Sequence, residues 1–468
     1  MIQLPVPLLL LYLISIILLI QVCNCQEGEQ QHDNEQSVHL ISGVDLPLLG
    51  FGIGNLPHES IPHVVQAQLE EGVRLIDTAR ASNNEKILAD AIAMFDGEHS
   101  NTRGGSSGAG STDDPEIIHV ITKVWYTHLG YGRTKLSVQE SLRDLQSSTT
   151  HQIYVHVLLH WPKCDDSIPW MNCKEEEENL PQYVKDAGHN PLENKDTAFL
   201  GSWKALEDIF MDHQKLMEEH KKSKQIMNPI IASIGVSNFE LDDMKFLLLG
   251  PHTRVSPHIY QGPSWKIYHD PYMLDLLHKN NIHFQAYGVM NGILGMRNQA
   301  PNAFYVLTDI SRELAATVHS EQKDVVVTEA TVLLAHLLLD KIGLIPRAAS
   351  PYHQKENSPQ AIAAIIPHLT PVHRQQLNLA IPALMKGDDL VSTIHFTNGL
   401  DSPVSIHWIN PSDKKEVIVS DLIHPGNTET QQSHPGHKFV AYGPGKKVKK
   451  EFTVNALYGE EEHFKIEL

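Results

Sequence analysis

Four short segments close on side chains that could do chemistry. They are GVRLIDTARASNNE (72–85), HVITKVW (119–125), VLLHWP (157–162) and ASIGVSNF (232–239). Each is an apolar run ending in polar or charged residues, and Asp77, Lys123 and His160 stand at three of those endings. A carboxylate and an ammonium that end side by side form an ion pair, and a buried lysine needs one. An imidazole titrates near neutrality and can pass a proton. The three together suit proton handling in a pocket, provided the strands carrying them meet.

A (β/α)₈ barrel makes them meet, because its strand ends share one face and that face carries the chemistry. The rest of the chain has the required rhythm. SVHLISGVDLPLLGFGIG (37–54) reads as a hairpin, with Gly43 and Asp45 at its turn, and then a first barrel strand. Strand and helix patterns then alternate: RLIDTA, helix 84–95, strand 117–125, helix 138–145, strand 153–159, helix 203–219, strand 230–236 and a short helix at 242–248. HIYQ, HFQAYGV and GLIPRA complete eight strands, with DPYMLDLLHKNN and VTEATVLLAHLLLD as helices between them. Alternation of this kind predicts a parallel sheet, here a TIM barrel over residues 37–385.

Two inserts interrupt it. DGEHSNTRGGSSGAGSTDDP (96–115) is Gly/Ser-rich and reads as a disordered loop on the face away from the chemistry. Residues 163–200 follow the fourth strand and must lie on the chemical face. Their CKEEEENL stretch reads either as a solvated loop or as a lid. From about residue 388 the pattern changes to VSTIHFTNG, SPVSIHWIN, EVIVSDLI, HKFVAYG and EFTVNALYG. Short strands with regular turn punctuation predict a C-terminal all-β sandwich over 388–468.

The four segments resemble the aldo-keto reductase family, in which Asp, Tyr, Lys and His form the catalytic group. Asp77, Lys123 and His160 match three of these. The family's Tyr follows its Asp by five residues, and Ser82 stands there. The resemblance implies reduction of a small carbonyl substrate by a nicotinamide cofactor, NADP or NAD. Because a serine hydroxyl is too short and too weak an acid, it also implies an impaired proton donor. Tyr126 swinging in, His160 as an imidazolium, or a water on Ser82 would be the replacements. The resemblance further implies that Ser237, Asn238 and Gln261 hold the carboxamide and that Tyr287 stacks on the nicotinamide. IPRAASPYHQKEN (345–357) would meet the adenosine end through Arg347, Glu356 and Asn357. Arg347 stands where the family has Lys, and Ala348 and His353 where it has Ser and Arg. Trp125 and Trp161 would line the substrate pocket. The alternative is a catalytically silent barrel serving as a scaffold.

The C-terminal strands resemble the β-domain of the von Hippel–Lindau protein. A strand ending in WIN, then a Pro-Gly turn, then S-x-x-G-H-x-F carry the likeness (408–439). That resemblance implies a peptide ligand whose hydroxyproline is held by Ser433 and His437, with Phe439 where the family has a Trp at the pocket floor. The alternative is a docking or stabilising sandwich.

Residues 1–25 carry an apolar run from Leu8 to Ile20, broken by Tyr12 and Ser15. This reads as a signal peptide cleaved after Cys25, followed by a flexible linker (26–36). An uncleaved membrane anchor over 6–22 is the alternative. The expected location is the secretory pathway, in the endoplasmic reticulum lumen or outside the cell. There Cys164 and Cys173 could pair as a disulfide, or remain as thiols. A net charge of −19 argues against a nucleic-acid partner. His424, His434 and His437 gather without a known ligand spacing, so no metal is expected.

Overall fold

The computed structural model describes residues 37–102, 115–223, 226–250, 253–388, 390–410, 414–446, 449–456 and 458–467. The signal-peptide, anchor and linker expectations (1–36) lie outside the described residues, as does most of the Gly/Ser insert (103–114). No helix among the described residues is long and apolar enough to cross a membrane.

A short hairpin, β1 (Ser37–His39) with β2 (Asp45–Pro47), precedes the barrel. Eight parallel strands follow: β3 (Phe51–Gly52), β4 (Leu75–Asp77), β5 (Ile117–Val124), β6 (Gln152–Leu159), β7 (Ile230–Ser237), β8 (Ile259–Pro263), β9 (His283–Tyr287) and β10 (Gly343–Ile345). They pair in sequence order. The ring closes where Gly50 N donates to Leu344 O at 2.8 Å and Gly52 N to Pro346 O at 3.0 Å. Every residue of β6 and β7 is buried, as expected of parallel strands covered on both faces. Gly235 in β7 has a packing reason: a Cβ there would stand 2.3 Å from Ile259 O and 2.7 Å from Leu158 Cδ2.

Helices cover the barrel, and several start where the sequence punctuates. Thr328, Ser350, Ser358 and Thr370 each accept a first-turn backbone N–H, opening helices Glu329–Leu338, Pro351–Glu356, Pro359–Ile365 and Pro371–Lys386. Helix Tyr131–Asp144 begins seven residues before the expected 138, because Thr134 and Ser137 face the interior and mask the apolar period. Helix Pro301–Glu321 was not singled out in the sequence, although its apolar face is regular.

The C-terminal region is all β, as expected. β11 (Ser392–Asn398), β14 (Thr428–Ser433) and β17 (Glu461–Ile466) form a three-stranded sheet with β11 central. β12 (Val404–Ile409), β13 (Glu416–Ile423), β15 (Lys438–Tyr442) and β16 (Lys449–Thr453) form a four-stranded one. Along β11 buried and half-buried residues alternate strictly, so one face is core and the other is open. Ile394, Phe396, Ile406, Phe439, Phe452 and Ile466 fill the space between the sheets.

Candidate active site

A cavity of about 930 Å³ opens at the C-terminal ends of the barrel strands. Asp77, Ser82, Lys123, Trp125, His160, Trp161, Ser237, Asn238, Gln261, Tyr287, Arg347, Glu356 and Asn357 all line it. Asp77 ends β4, and Lys123 lies near the end of the adjacent β5. The Lys123 ammonium donates to Asp77 Oδ1 at 2.5 Å and to Thr78 O at 2.8 Å. Gln261 Nε2 donates to the same Asp77 oxygen at 2.9 Å and to Gln285 Oε1 at 3.0 Å. Lys123 is only 5% exposed, so this is a buried charge whose partners are all in place.

His160 follows β6. Its ring lies edge-on to Trp125 at 4.9 Å, and its Nδ1 is buried with no hydrogen-bond partner. Burial, reinforced by the Lys123 cation, holds its pKa well below the ordinary histidine range. That shift disfavours the imidazolium form expected as a donor and leaves a ring that can orient an oxygen. Tyr126 is likewise corrected. It is 1% exposed and does not reach the cavity. Its hydroxyl donates to Glu176 in a short hydrogen bond, and burial together with that carboxylate pushes its pKa further up. Ser82 closes a 3₁₀ turn, Arg80–Ser82, at the cavity wall. Arg80 pins that turn through Glu85 at 2.7 Å and Asp144 at 2.5 Å.

Residues 163–200 mix turns with short helices. Cys164 and Cys173 are joined by a disulfide. The acidic run is a helix, Cys173–Glu178, capped by Asn172. Two of its carboxylates turn inward. Glu177 takes a two-pronged bond from buried Arg133 at 2.8 and 2.9 Å, and Glu176 accepts from Trp125 Nε1 at 2.8 Å. Charge density hid this amphipathic helix from sequence reading. The clamped segment also presents Trp170, 56% exposed and missed in the sequence, 6.1 Å from Trp125 and 5.7 Å from Trp161 between ring centres. Its signal was position: it lies between the paired cysteines.

The other half of the cavity has the character of a dinucleotide groove. Asn238, at φ +60°, donates to His160 O at 3.0 Å and accepts from the Tyr287 hydroxyl at 2.6 Å. Arg347 is exposed and donates to Gly54 O at 3.1 Å. Glu356 is buried, bonded to His353 Nδ1 at 2.7 Å and Thr328 Oγ1 at 3.1 Å. Asn357 Oδ1 is buried with no partner. Two orphaned polar atoms, on His160 and Asn357, thus sit in one groove that also carries a free guanidinium edge.

In the sandwich, Ser433 Oγ and His437 Nδ1 come within 3.2 Å. Phe439 does not join them at a surface. It is 2% exposed and packs 5.3 Å from Phe396 in the core. Trp408, 5.3 Å from His437, is the aromatic beside that pair, and its Nε1 and His434 Nδ1 are buried without partners.

The model of the Aldo/keto reductase family matches residues 49–364. The chain is similar to an NAD(P)H-dependent D-xylose reductase of Kluyveromyces lactis, 23% identical over 322 residues, covering 67% of this chain and 84% of that one. It is also similar to an NAD(P)H-dependent D-xylose reductase I,II of Candida tropicalis, 24% identical over 69% of this chain and 86% of that one. Among solved structures, the aldose reductase from Schistosoma japonicum matches with a TM-score of 0.47 and 19% identity, over 73% of this chain and 91% of that one.

Proposed function

The chain belongs to the aldo/keto reductase family, and we propose that it reduces aldehydes or ketones with NADPH or NADH, using a weakened proton donor. The observation that carries this is the Lys123–Asp77 pair on the floor of a groove that Ser237, Asn238, Gln261 and Tyr287 also line. The bound nucleotide would supply the hydride. The nicotinamide amide fits Asn238 and Gln261, and a 2′-phosphate fits Arg347. The unpartnered Asn357 Oδ1 suits the amino group of adenine.

Each residue then has a physical task. Lys123 places positive charge where a carbonyl oxygen becomes negative, and in a buried site that field is strong. Neutral His160 orients the oxygen. Trp125, Trp161 and Trp170 exclude water from the mouth. In this reading the proton comes from a water held at Ser82, since Tyr126 is tied to Glu176 and burial disfavours the charged form of His160. Loss of a positioned acid lowers rates by about 10²–10⁴-fold, so turnover is slow. Titrating the purified protein with NADPH and NADH, followed by tryptophan fluorescence, tests the reading. Micromolar binding and carbonyl-dependent NADPH oxidation support it, and no binding of either nucleotide overturns it.

A second reading rests on the same missing acid. The barrel would be silent and the sandwich would be the working module, a β-domain of von Hippel–Lindau type taking a hydroxyproline peptide between Ser433, His437 and Trp408. The unpartnered Trp408 Nε1 and His434 Nδ1 favour it. Peptides with and without hydroxyproline, compared by calorimetry, separate it from a docking role. A secretory location is part of the proposal, and the Cys164–Cys173 disulfide supports it.

A further inference from the structure

We infer that the open face of the three-stranded sheet is a binding site for a divalent transition metal, formed by His395, Glu461 and His463. Among the described residues, two groups of three ligand-bearing side chains converge, and in the other two members are disulfide-bonded cysteines. Here all three donors are free to coordinate.

Strand register builds the site. β11 and β17 run parallel, and His395 pairs with His463. Glu461 lies two residues before His463 on the same face of β17, as the pleat requires. The two imidazoles stack with centres 4.4 Å apart and planes 15° from parallel. All three donor atoms lie within 4.8 Å of one another.

The hydrogen bonds sort the nitrogens. His395 Nδ1 is engaged with Thr430 Oγ1 of β14 at 2.9 Å, which fixes the ring. His395 Nε2 is buried and has no hydrogen-bond partner. It faces Glu461 Oε2 at 3.6 Å, too far for a hydrogen bond. Two donors on one tetrahedral ion with bonds of about 2.0–2.2 Å stand roughly 3.3 Å apart. The observed gap is close to that spacing. An outer partner on the far ring nitrogen is how ligating histidines are held, and Thr430 supplies it. Lys465, next on this face of β17, is paired with Glu467, so its charge is already compensated.

Two imidazoles and one carboxylate form a set for Zn²⁺ or Cu²⁺, with water in the fourth place, and not for Mg²⁺ or Ca²⁺, which take oxygen ligands. None of these residues lines the barrel cavity, so the inference stands apart from the reductase reading.

Zinc titration of the purified protein by calorimetry tests it. With 29 histidines in the chain, the informative quantity is the difference between the parent and His463→Ala or Glu461→Gln. We expect one equivalent of the tightest zinc binding to disappear, or to weaken at least tenfold, in either variant. Mg²⁺ should give no heat at this step. Cu²⁺ in place of zinc should show two coordinated nitrogens by electron paramagnetic resonance, falling to one in His463→Ala. Unchanged zinc stoichiometry and affinity in both variants overturns the site. His463→Gln, which keeps the side chain's bulk, replaces the alanine variant if that one unfolds.

Discussion

The barrel mouth and the sandwich use polar residues in opposite ways. In the barrel, strand ends converge, so Asp77, Lys123, Gln261 and Gln285 bond to one another in a concave, buried site. In the sandwich, polar groups stand on the faces of strands. His395 and His463 meet because two strands are in register, and they look outward. A strand end concentrates chemistry within a few residues of sequence. A strand face assembles it from distant segments.

The largest effect that would sharpen this contrast is at Ser82. Ser82→Tyr should raise kcat/KM for an aldehyde by about 10²–10⁴-fold if the concave site lacks only its acid. Steady-state NADPH oxidation reads it, and an unchanged rate with nucleotide still bound would move the function to the sandwich. Next, Arg133→Met should destabilise the barrel by about 3–5 kcal/mol, because it strands the buried Glu177 carboxylate. Thermal unfolding and hydrogen exchange over 163–200 check this. The paired but exposed Lys465 of the sandwich gives the counter-case: Lys465→Met should stay within about 0.5 kcal/mol of the parent.

Acid should also tell the two regions apart. His119 lies in the barrel, buried, with Nδ1 3.0 Å from His156 Nε2, and burial pushes its pKa down to about 3. An unfolded histidine titrates near 6.5. Between those values the unfolded chain binds a proton that the folded barrel refuses, so stability falls as pH drops from about 6.5 towards 3. His119→Gln should flatten that limb in acid melts followed by circular dichroism. An unaltered limb would show that other groups set it. The smallest effect is expected at His463→Ala without metal, within about 0.5 kcal/mol, since the ring is exposed on an edge strand.

Much of the barrel was legible because its chemistry sits where apolar runs end. RLID, VITKV and ASIGVSN by themselves put Asp77, Lys123 and Asn238 at one mouth. What stayed hidden has physical reasons. The 173–178 helix is too short and too acidic to show a period, yet Arg133, forty-four residues away, draws Glu177 inward. Tyr126 looked free to swing because its captor, Glu176, lies in that same helix. Phe439 was matched by motif to a pocket floor, and its strand phase packs it in the core against Phe396. The pairing of His395 with His463 depends on a parallel register that local sequence does not encode.

The closure of the barrel also sets a clock. The first strand's edge is satisfied only by β10, and Arg347 reaches back to Gly54 across 293 positions. At roughly 5–20 residues per second of synthesis, the nascent β3 edge waits about 15–60 s for its partner. During that interval its backbone groups are open to any passing strand. Holdases would have their longest opportunity there, and a slowed codon stretch between residues 54 and 343 would lengthen it.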